Sequence, residues 1–488
     1  MKKQEVKGKE LKKKINKKNN GITLIALVIT IIVLLILAGV TIATLTGDNG
    51  ILSNASKARE QTEIAEEKEA IGIAYSTVMA DNNGSGVSAS ELQKELENNG
   101  YNATVVDNGD GTLTVTFESG REYTIDANGS ITGPTVSNIT ATMKIVGEKV
   151  TTPPVPTGFT YTGEGTVDTG YVIQDTSGNE FVWVPVDKNQ KIQINVTSKS
   201  GNIESISLTD PYGDEKLTES NVGTTYSNTE IDPTINGTYK LTVVAGEDKK
   251  EVELNVKSLY AQRMWELDML TEEIAIAKEY ENLDDFIQNY FGMPEGTSVE
   301  DTKAMIASSY KQGMFADTED YTSQVNANGG FYIGRYEASY ENGSAVSKES
   351  TVANTDSTLK DGKLWNNISQ TNALSNAKSM YTSSEFTSSL LTGAAWDRTL
   401  SWLEETGKVT LEEIIVDSKS WGNYYNDSFS GTTSLINTGS MPQTETNNIY
   451  DLAGNLLEWT TEALNTGEIA ARGRLLQLPW FCFSSLRS

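Results

Sequence analysis

The chain of 488 residues contains one thiol, Cys482, and no histidine. Histidine is the usual proton shuttle near neutral pH and the commonest metal ligand. Its absence excludes Ser-His-Asp and Cys-His nucleophilic chemistry and His-ligated zinc hydrolysis. A lone cysteine also excludes a disulfide framework within the chain. The side chains whose types and spacing could still do chemistry fall in one late block, Tyr450-Asp451-Leu452-Ala453-Gly454-Asn455-Leu456-Leu457-Glu458-Trp459. Gly454-Asn455 can turn the chain there, since glycine takes positive φ and asparagine tolerates it. Glu458 and Trp459 then open a strand, and Trp459, Trp396, Trp402 and Trp183 supply large apolar area.

Other fragments lead to this block in a fixed order. They are Glu180-Phe181-Val182-Trp183-Val184-Pro185-Val186, Gly330-Phe331-Tyr332-Ile333-Gly334-Arg335-Tyr336-Glu337, Leu364-Trp365-Asn366-Asn367, Leu391 to Asp397, and Trp421-Gly422-Asn423-Tyr424; Ala471-Arg472-Gly473 follows it. In order and spacing the series resembles the formylglycine-generating enzyme (sulfatase-modifying factor) superfamily, over 155–186 and 328–473. That would make 188–327 an insertion within one domain. The resemblance implies a C-type-lectin-like core and a calcium ion held by Asn455 and Glu458, whose oxygen donors suit that ion. Enzymes of the family oxidise a substrate cysteine with copper on two cysteines, and soft Cu(I) requires such thiolates. Cys482 alone does not supply them, and relatives that use histidine-bound iron have ligands missing here. The expectation is a non-catalytic binder, with a ligand surface around Trp421, Asn423, Tyr424 and Arg472.

Elements at the other end position the protein. Gly21 to Gly47 carry no charge, and a stub with nine lysines against Glu5 and Glu10 precedes them. A hydrocarbon layer of roughly 30 Å needs about 20 apolar residues as a helix, and positive flanks stay cytoplasmic. The reading is a single-pass transmembrane helix over 22–46, with the remaining domains extracellular at the cell membrane. Lys17-Lys18-Asn19-Asn20-Gly21 followed by Ile22-Thr23-Leu24-Ile25-Ala26 resembles a type IV prepilin, which implies cutting between Gly21 and Ile22 by a prepilin peptidase. Such prepilins carry glutamate where Ala26 stands, so this resemblance favours a rare minor subunit over a shaft subunit.

The formal charge is −27; the lysine-rich stub contributes +7, so the remainder carries −34. An acidic ectodomain repels nucleic acid. The expected partners are the lipid bilayer and an extracellular protein or glycan. The fold class expected is multidomain α+β: a transmembrane helix, a small pilin-like head, and a C-type-lectin-like domain with an inserted Ig-like β-sandwich and helical segment. Its parts are a leader 1–21, the span 22–46, helix and head 47–150, a first domain part 151–187, a sandwich 188–257, a helical insert 258–327, a second domain part 328–473 and an atypical tail 474–488. Ser88-Ala89-Ser90-Glu91 is a capping-box start, and Thr112 to Phe117 alternates as a strand does. Strand-like runs at Ile192–Thr197, Ile203–Leu208, Tyr239–Val244 and Glu251–Val256 mark the sandwich. Met264, Trp265 and Met269 fall at helical spacing and read as core.

The apolar tail Leu475 to Phe483 matches no family pattern. Read one base out of phase, degenerate codons for it can encode a serine- and tyrosine-rich strand of the family type, which points to a late frameshift. Sequencing the last fifty codons from fresh genomic template checks this. An intact alternative phase is the expected result, and codons that cannot encode it remove the idea.

Overall fold

The computed structural model describes residues 51–82, 84, 86–108, 111–136, 138–313, 315–317, 319–353, 358–424, 435–464 and 469–473. The chain divides into two compact units, Met1–Val136 and Ser137–Ser488. The leader, the expected span 22–46, the Gly21–Ile22 junction and the tail 474–488 lie outside the described residues. Among the described residues no helix is long and apolar enough to cross a membrane. For the described residues the expected fold class, α+β led by a transmembrane helix, is therefore corrected: they are mostly β, with 23 strands against ten α-helices, and none of those helices could span a membrane. Its longest helix, Ile51–Asp81, carries Glu63, Glu66, Glu67, Lys68 and Glu69 in mid-length, a charge density that hydrocarbon does not tolerate.

The first unit contains that helix, α1 (Ile51–Asp81), and α2 (Ala89–Asn98), then β1 (Ala103–Asp107), β2 (Thr112–Phe117), β3 (Arg121–Asp126) and β4 (Ile131–Val136). The strands form an antiparallel meander in the order β1-β2-β3-β4. Ser88 caps α2 through a reciprocal box with Glu91, satisfying amide donors that a helix start leaves unpaired. Alternation in β2 sends Leu113, Val115 and Phe117 inward, where Ala70, Ile71 and Ala74 of α1 and Leu92 and Leu96 of α2 meet them. Glu67 pins the long helix to the sheet. It accepts from Arg121 Nε at 2.7 Å and Nη2 at 2.8 Å, and from the Tyr123 hydroxyl at 2.7 Å.

The second unit begins with β5 (Ile139–Glu148), β6 (Phe159–Tyr161), β7 (Val172–Asp175) and β8 (Glu180–Pro185). β9 (Lys188–Ser198), β10 (Ser205–Thr209), β11 (Glu215–Ser220), β12 (Thr225–Ile231), β13 (Gly237–Ala245) and β14 (Asp248–Val256) follow. Sheets β12-β9-β5 and β11-β10-β13-β14 share one apolar core, with Ile192 and Ile194 from one and Ile206, Leu208 and Leu241 from the other. Strand β5 comes from residues that sequence patterning grouped with the preceding head; it pairs with β9 from Ile139↔Ser198 to Glu148↔Lys188. Buried Tyr239 ties the corner before β13, its hydroxyl accepting from the amides of Thr234 at 3.1 Å and Ile235 at 3.3 Å.

The chain then turns helical through α3 (Trp265–Asp268), α4 (Glu272–Ala277), α5 (Leu283–Asn289) and α6 (Val299–Lys311), reaching β15 (Phe315–Asp317) and α7 (Thr322–Asn328). β16 (Gly330–Gly334), β17 (Ser339–Glu341), β18 (Ser344–Val346), β19 (Lys363–Leu364), α8 (Gln370–Met380), α9 (Gly393–Glu405) and α10 (Leu411–Ile415) follow. The last described strands are β20 (Glu445–Thr446), β21 (Ile449–Tyr450), β22 (Glu458–Leu464) and β23 (Ile469–Arg472). Sheet β16-β8-β7-β6 lays Val172, Val182, Val184 and Ile333 on a core with Trp396, Leu400, Trp402 and Leu403 of α9. Trp265, Met269, Ile274 and Phe286 belong to this same core. The helical segment is thus a wall of the domain rather than an appendage. Helix α9 is buried continuously from Gly393 to Leu403, and a helix buried on all faces needs partners for its polar side chains as well as its apolar ones.

Candidate functional site

The turn between β21 and β22 is held open by left-handed residues. Asp451 has φ 60°, Gly454 φ 79° and Asn455 φ 54°. A Cβ on Gly454 would stand 2.2 Å from the Asn423 carbonyl oxygen, so side chains are excluded there. This close approach puts the Asn455 amide 2.8 Å from that carbonyl, while the Asn423 amide donates to Ala453 O at 3.2 Å. Both ends of the Asn455 side chain are used. Its Oδ1 accepts from Asn423 Nδ2 at 3.1 Å and from the Ile436 amide at 3.0 Å. Its Nδ2 donates to Glu337 Oε2 at 2.5 Å and to Ile436 O at 3.3 Å. Glu337 Oε1 accepts from the Leu456 amide at 3.0 Å. One amide side chain therefore ties Glu337, Asn423 and Ile436 to the turn.

Three carboxyl groups converge on this hub. Glu337 and Asp451 are buried, and Glu458 is half-buried. Asp451 accepts from the Thr444 hydroxyl at 2.6 Å and the Gly439 amide at 3.0 Å. Burial, reinforced by the charges of Asp451 and Glu458, raises the Glu337 carboxyl well above the usual carboxylate range. Burial and the Asp451 charge push Glu458 up to about 7. Tested against calcium, this donor set does not fit. The Asn455 oxygen is already occupied by two N–H donors, and its amine end faces Glu337. Calcium takes six to eight open oxygen donors. Among the described residues no group of three His, Cys, Asp or Glu is arranged to hold a metal ion.

Arg472 lies in a second buried cluster. Its Nε and Nη2 each reach Glu462, both at 2.7 Å, in a bidentate pair, and Nη1 stands 3.7 Å from Asp397 on α9. Asp397 in turn accepts from the Arg263 amide and from Trp265 Nε1, both at 2.9 Å. Arg263 reaches Asp268 at 2.8 Å and Glu404 at 2.7 Å, and its guanidinium lies 3.7 Å above the Trp265 ring. Burial pushes Asp397 up to about 6 even with Arg472 opposing it. The cluster joins strand β23, helix α9 and the start of the helical segment.

Of the four residues expected to form a ligand surface, none offers an exposed side chain. Trp421, Asn423, Tyr424 and Arg472 are each buried to 5% exposure or less. Asn423 meets Asn455, while Tyr424 shares a hydrogen bond with the Ser418 hydroxyl. The neighbouring residues 425–434 lie outside the described residues, as do Gly21 and Ile22. Sequence reasoning missed Glu337, Asp397 and Glu462. Each sits within a fragment that it quoted or beside one, yet a buried acid and a solvated one look alike in sequence.

Compared with known proteins, the chain matches no family model, no curated protein and no solved structure.

Two outcomes follow from the geometry. Arg472→Ala leaves Glu462 and Asp397 as buried charges and is expected to destabilise the unit by about 3–5 kcal/mol, whereas an exposed arginine would cost under about 1 kcal/mol; denaturant unfolding separates the two. Glu458 and Glu337 hold protons in the folded state that the unfolded chain releases near its ordinary carboxylate range. Their stabilising contribution is present at acid pH and fades as pH rises through about 7. The thermal midpoint should therefore fall between about pH 5 and 7 and level off above, and Glu458→Gln should flatten that fall; an unchanged slope in the variant refutes the assignment.

Proposed function

We propose that the protein is a membrane-anchored cell-surface protein displaying a non-catalytic, formylglycine-enzyme-like ligand-binding domain. The observation that carries this reading is the use made of the chemistry-bearing side chains. Asn455, Glu337 and Arg472 are spent on buried hydrogen bonds and ion pairs, so they hold the scaffold and leave its surface to recognition. The sequence adds that one thiol and no imidazole supply neither a copper dithiolate nor a histidine acid. Attachment rests on the uncharged stretch Gly21 to Gly47 behind its lysine stub, with the acidic remainder outside.

A second reading is a minor pilin or pseudopilin-type adhesin subunit. It is favoured by one observation, the 31-residue helix α1 laid by its C-terminal half on a four-stranded meander. In that case the mature chain begins at Ile22, and an added cross-linking reagent joins it to a pilus subunit.

The test uses the full chain in its producing cell. Added protease should remove the domains from intact cells without lysis. Purified in detergent and supplied with Cu(I), the protein should leave a cysteine peptide unoxidised. Protection until lysis refutes surface display, and copper-dependent aldehyde formation refutes the non-catalytic assignment.

A further inference from the structure

We infer that Tyr161 forms a saccharide-binding platform on the outer side of sheet β16-β8-β7-β6, one that takes a neutral or amino-bearing hexopyranose in preference to an acidic sugar. This rests on the reading of the domain as a displayed binder, and it gives that reading a ligand class.

The platform is a pair of stacked rings. Tyr161 lies on Tyr171 with centroids 4.1 Å apart and planes 7° from parallel. Tyr161 is nevertheless 42% exposed. One face is covered by Tyr171, so the exposed area is the opposite face and the ring edge. An aromatic residue with an open face, set on a second ring, is a firm apolar plane in water, and the C–H-rich face of a pyranose is its natural complement.

The plane is also fixed before any ligand arrives. The Tyr161 hydroxyl donates to Gly165 O at 2.7 Å, which ties the ring to loop 162–170. That loop is itself locked. Val172 N donates to Glu164 O at 3.1 Å, and Thr166 N to Thr169 Oγ1 at 2.9 Å. Gly170 sits so close to Asn447 that a Cβ would stand 1.9 Å from its carbonyl oxygen. A site already ordered loses little entropy on binding, and weak ligands such as single sugar rings depend on that saving.

Charge selects among sugars. The loop contributes exposed Asp168 and the half-exposed carboxylate of Glu164, and Arg335, which meets Glu164, is buried and shared with Glu180. Carboxylates accept from sugar hydroxyls and attract an ammonium group, while they repel uronic acids. A peptide occupant is less well served. β6 is the edge strand of this sheet, yet it offers three residues, too few to hold an added strand by main-chain hydrogen bonds.

The full chain in detergent micelles, probed by saturation-transfer NMR with chitohexaose, cellohexaose and polygalacturonate, tests the platform. Transfer to pyranose C–H protons of at least one of the first two is expected, with none to polygalacturonate. Tyr161→Ala should weaken it about fivefold, since a stacked ring contributes on the order of 1 kcal/mol, and Tyr161→Trp should retain it. A circular-dichroism melt confirms that each variant is folded. Equal transfer in Tyr161→Ala, preference for the acidic polymer, or no transfer from either hexaose overturns the platform. An aromatic peptide that binds at Tyr161 where both hexaoses fail overturns the ligand class. Any such failure, with the domains still removed by protease from intact cells, leaves the displayed-binder reading standing; protection from protease removes that reading instead.

Discussion

The buried pair of Arg472 and Glu462 is the constraint on which the larger unit depends. Two charges taken out of water cost several kcal/mol each unless their geometry is good and their remaining valences are filled. Here the pair is bidentate, Glu462 receives a third hydrogen bond from Gln262, and Asp397 faces the guanidinium from α9. Helix α9 can be buried on every side because its Asp397 and Arg398 are satisfied within the core, Arg398 by Glu405 and by Pro185 O. The same arrangement draws in Arg263 and Trp265, so the chain leaving the β-sandwich is fastened where it enters the helical wall.

The Asn455 turn works by a different means toward the same end. It uses a neutral amide to bridge backbone that has no regular secondary structure of its own. Such stretches carry amide and carbonyl groups that a sheet ladder would otherwise pair. Asn455, Glu337 and Asp451 take that role for residues around 423, 436–439 and 456.

Local features were legible in the sequence wherever a few neighbouring residues determine them. The Ser88–Glu91 box, the alternation of Thr112 to Phe117 and the Gly454-Asn455 turn follow from side chains within a few positions of one another. What escaped notice is non-local. Strand β5 binds β9 across roughly fifty residues of chain, and its own alternation says nothing of which sheet it joins. Glu337 meets Asn455 across 118 residues. Trp421, Asn423, Tyr424 and Arg472 were recognisable as special, but polar and aromatic residues that anchor a core have the same composition as those that bind a ligand. Exposure separates the two, and among the described aromatic residues it is Tyr161, unremarked in the sequence, that is left in solvent.

The shared core of the helical wall and the sheet has a consequence for how the chain acquires its structure. Contacts such as Arg263 to Asp397 and Asn448 to Gly170 span 134 and 278 residues. Loop closure over such distances must precede the contacts that reward it, and topologies of this kind fold slowly. On a ribosome, sheet β16-β8-β7-β6 would wait for α9 to cover its inner face, and the sandwich between them, closed by β5 and β14, can settle first. The β-sandwich strands that separate β8 from β16 in the chain would then act as a clamp in time, holding those two partners near each other until the remainder of the unit is made.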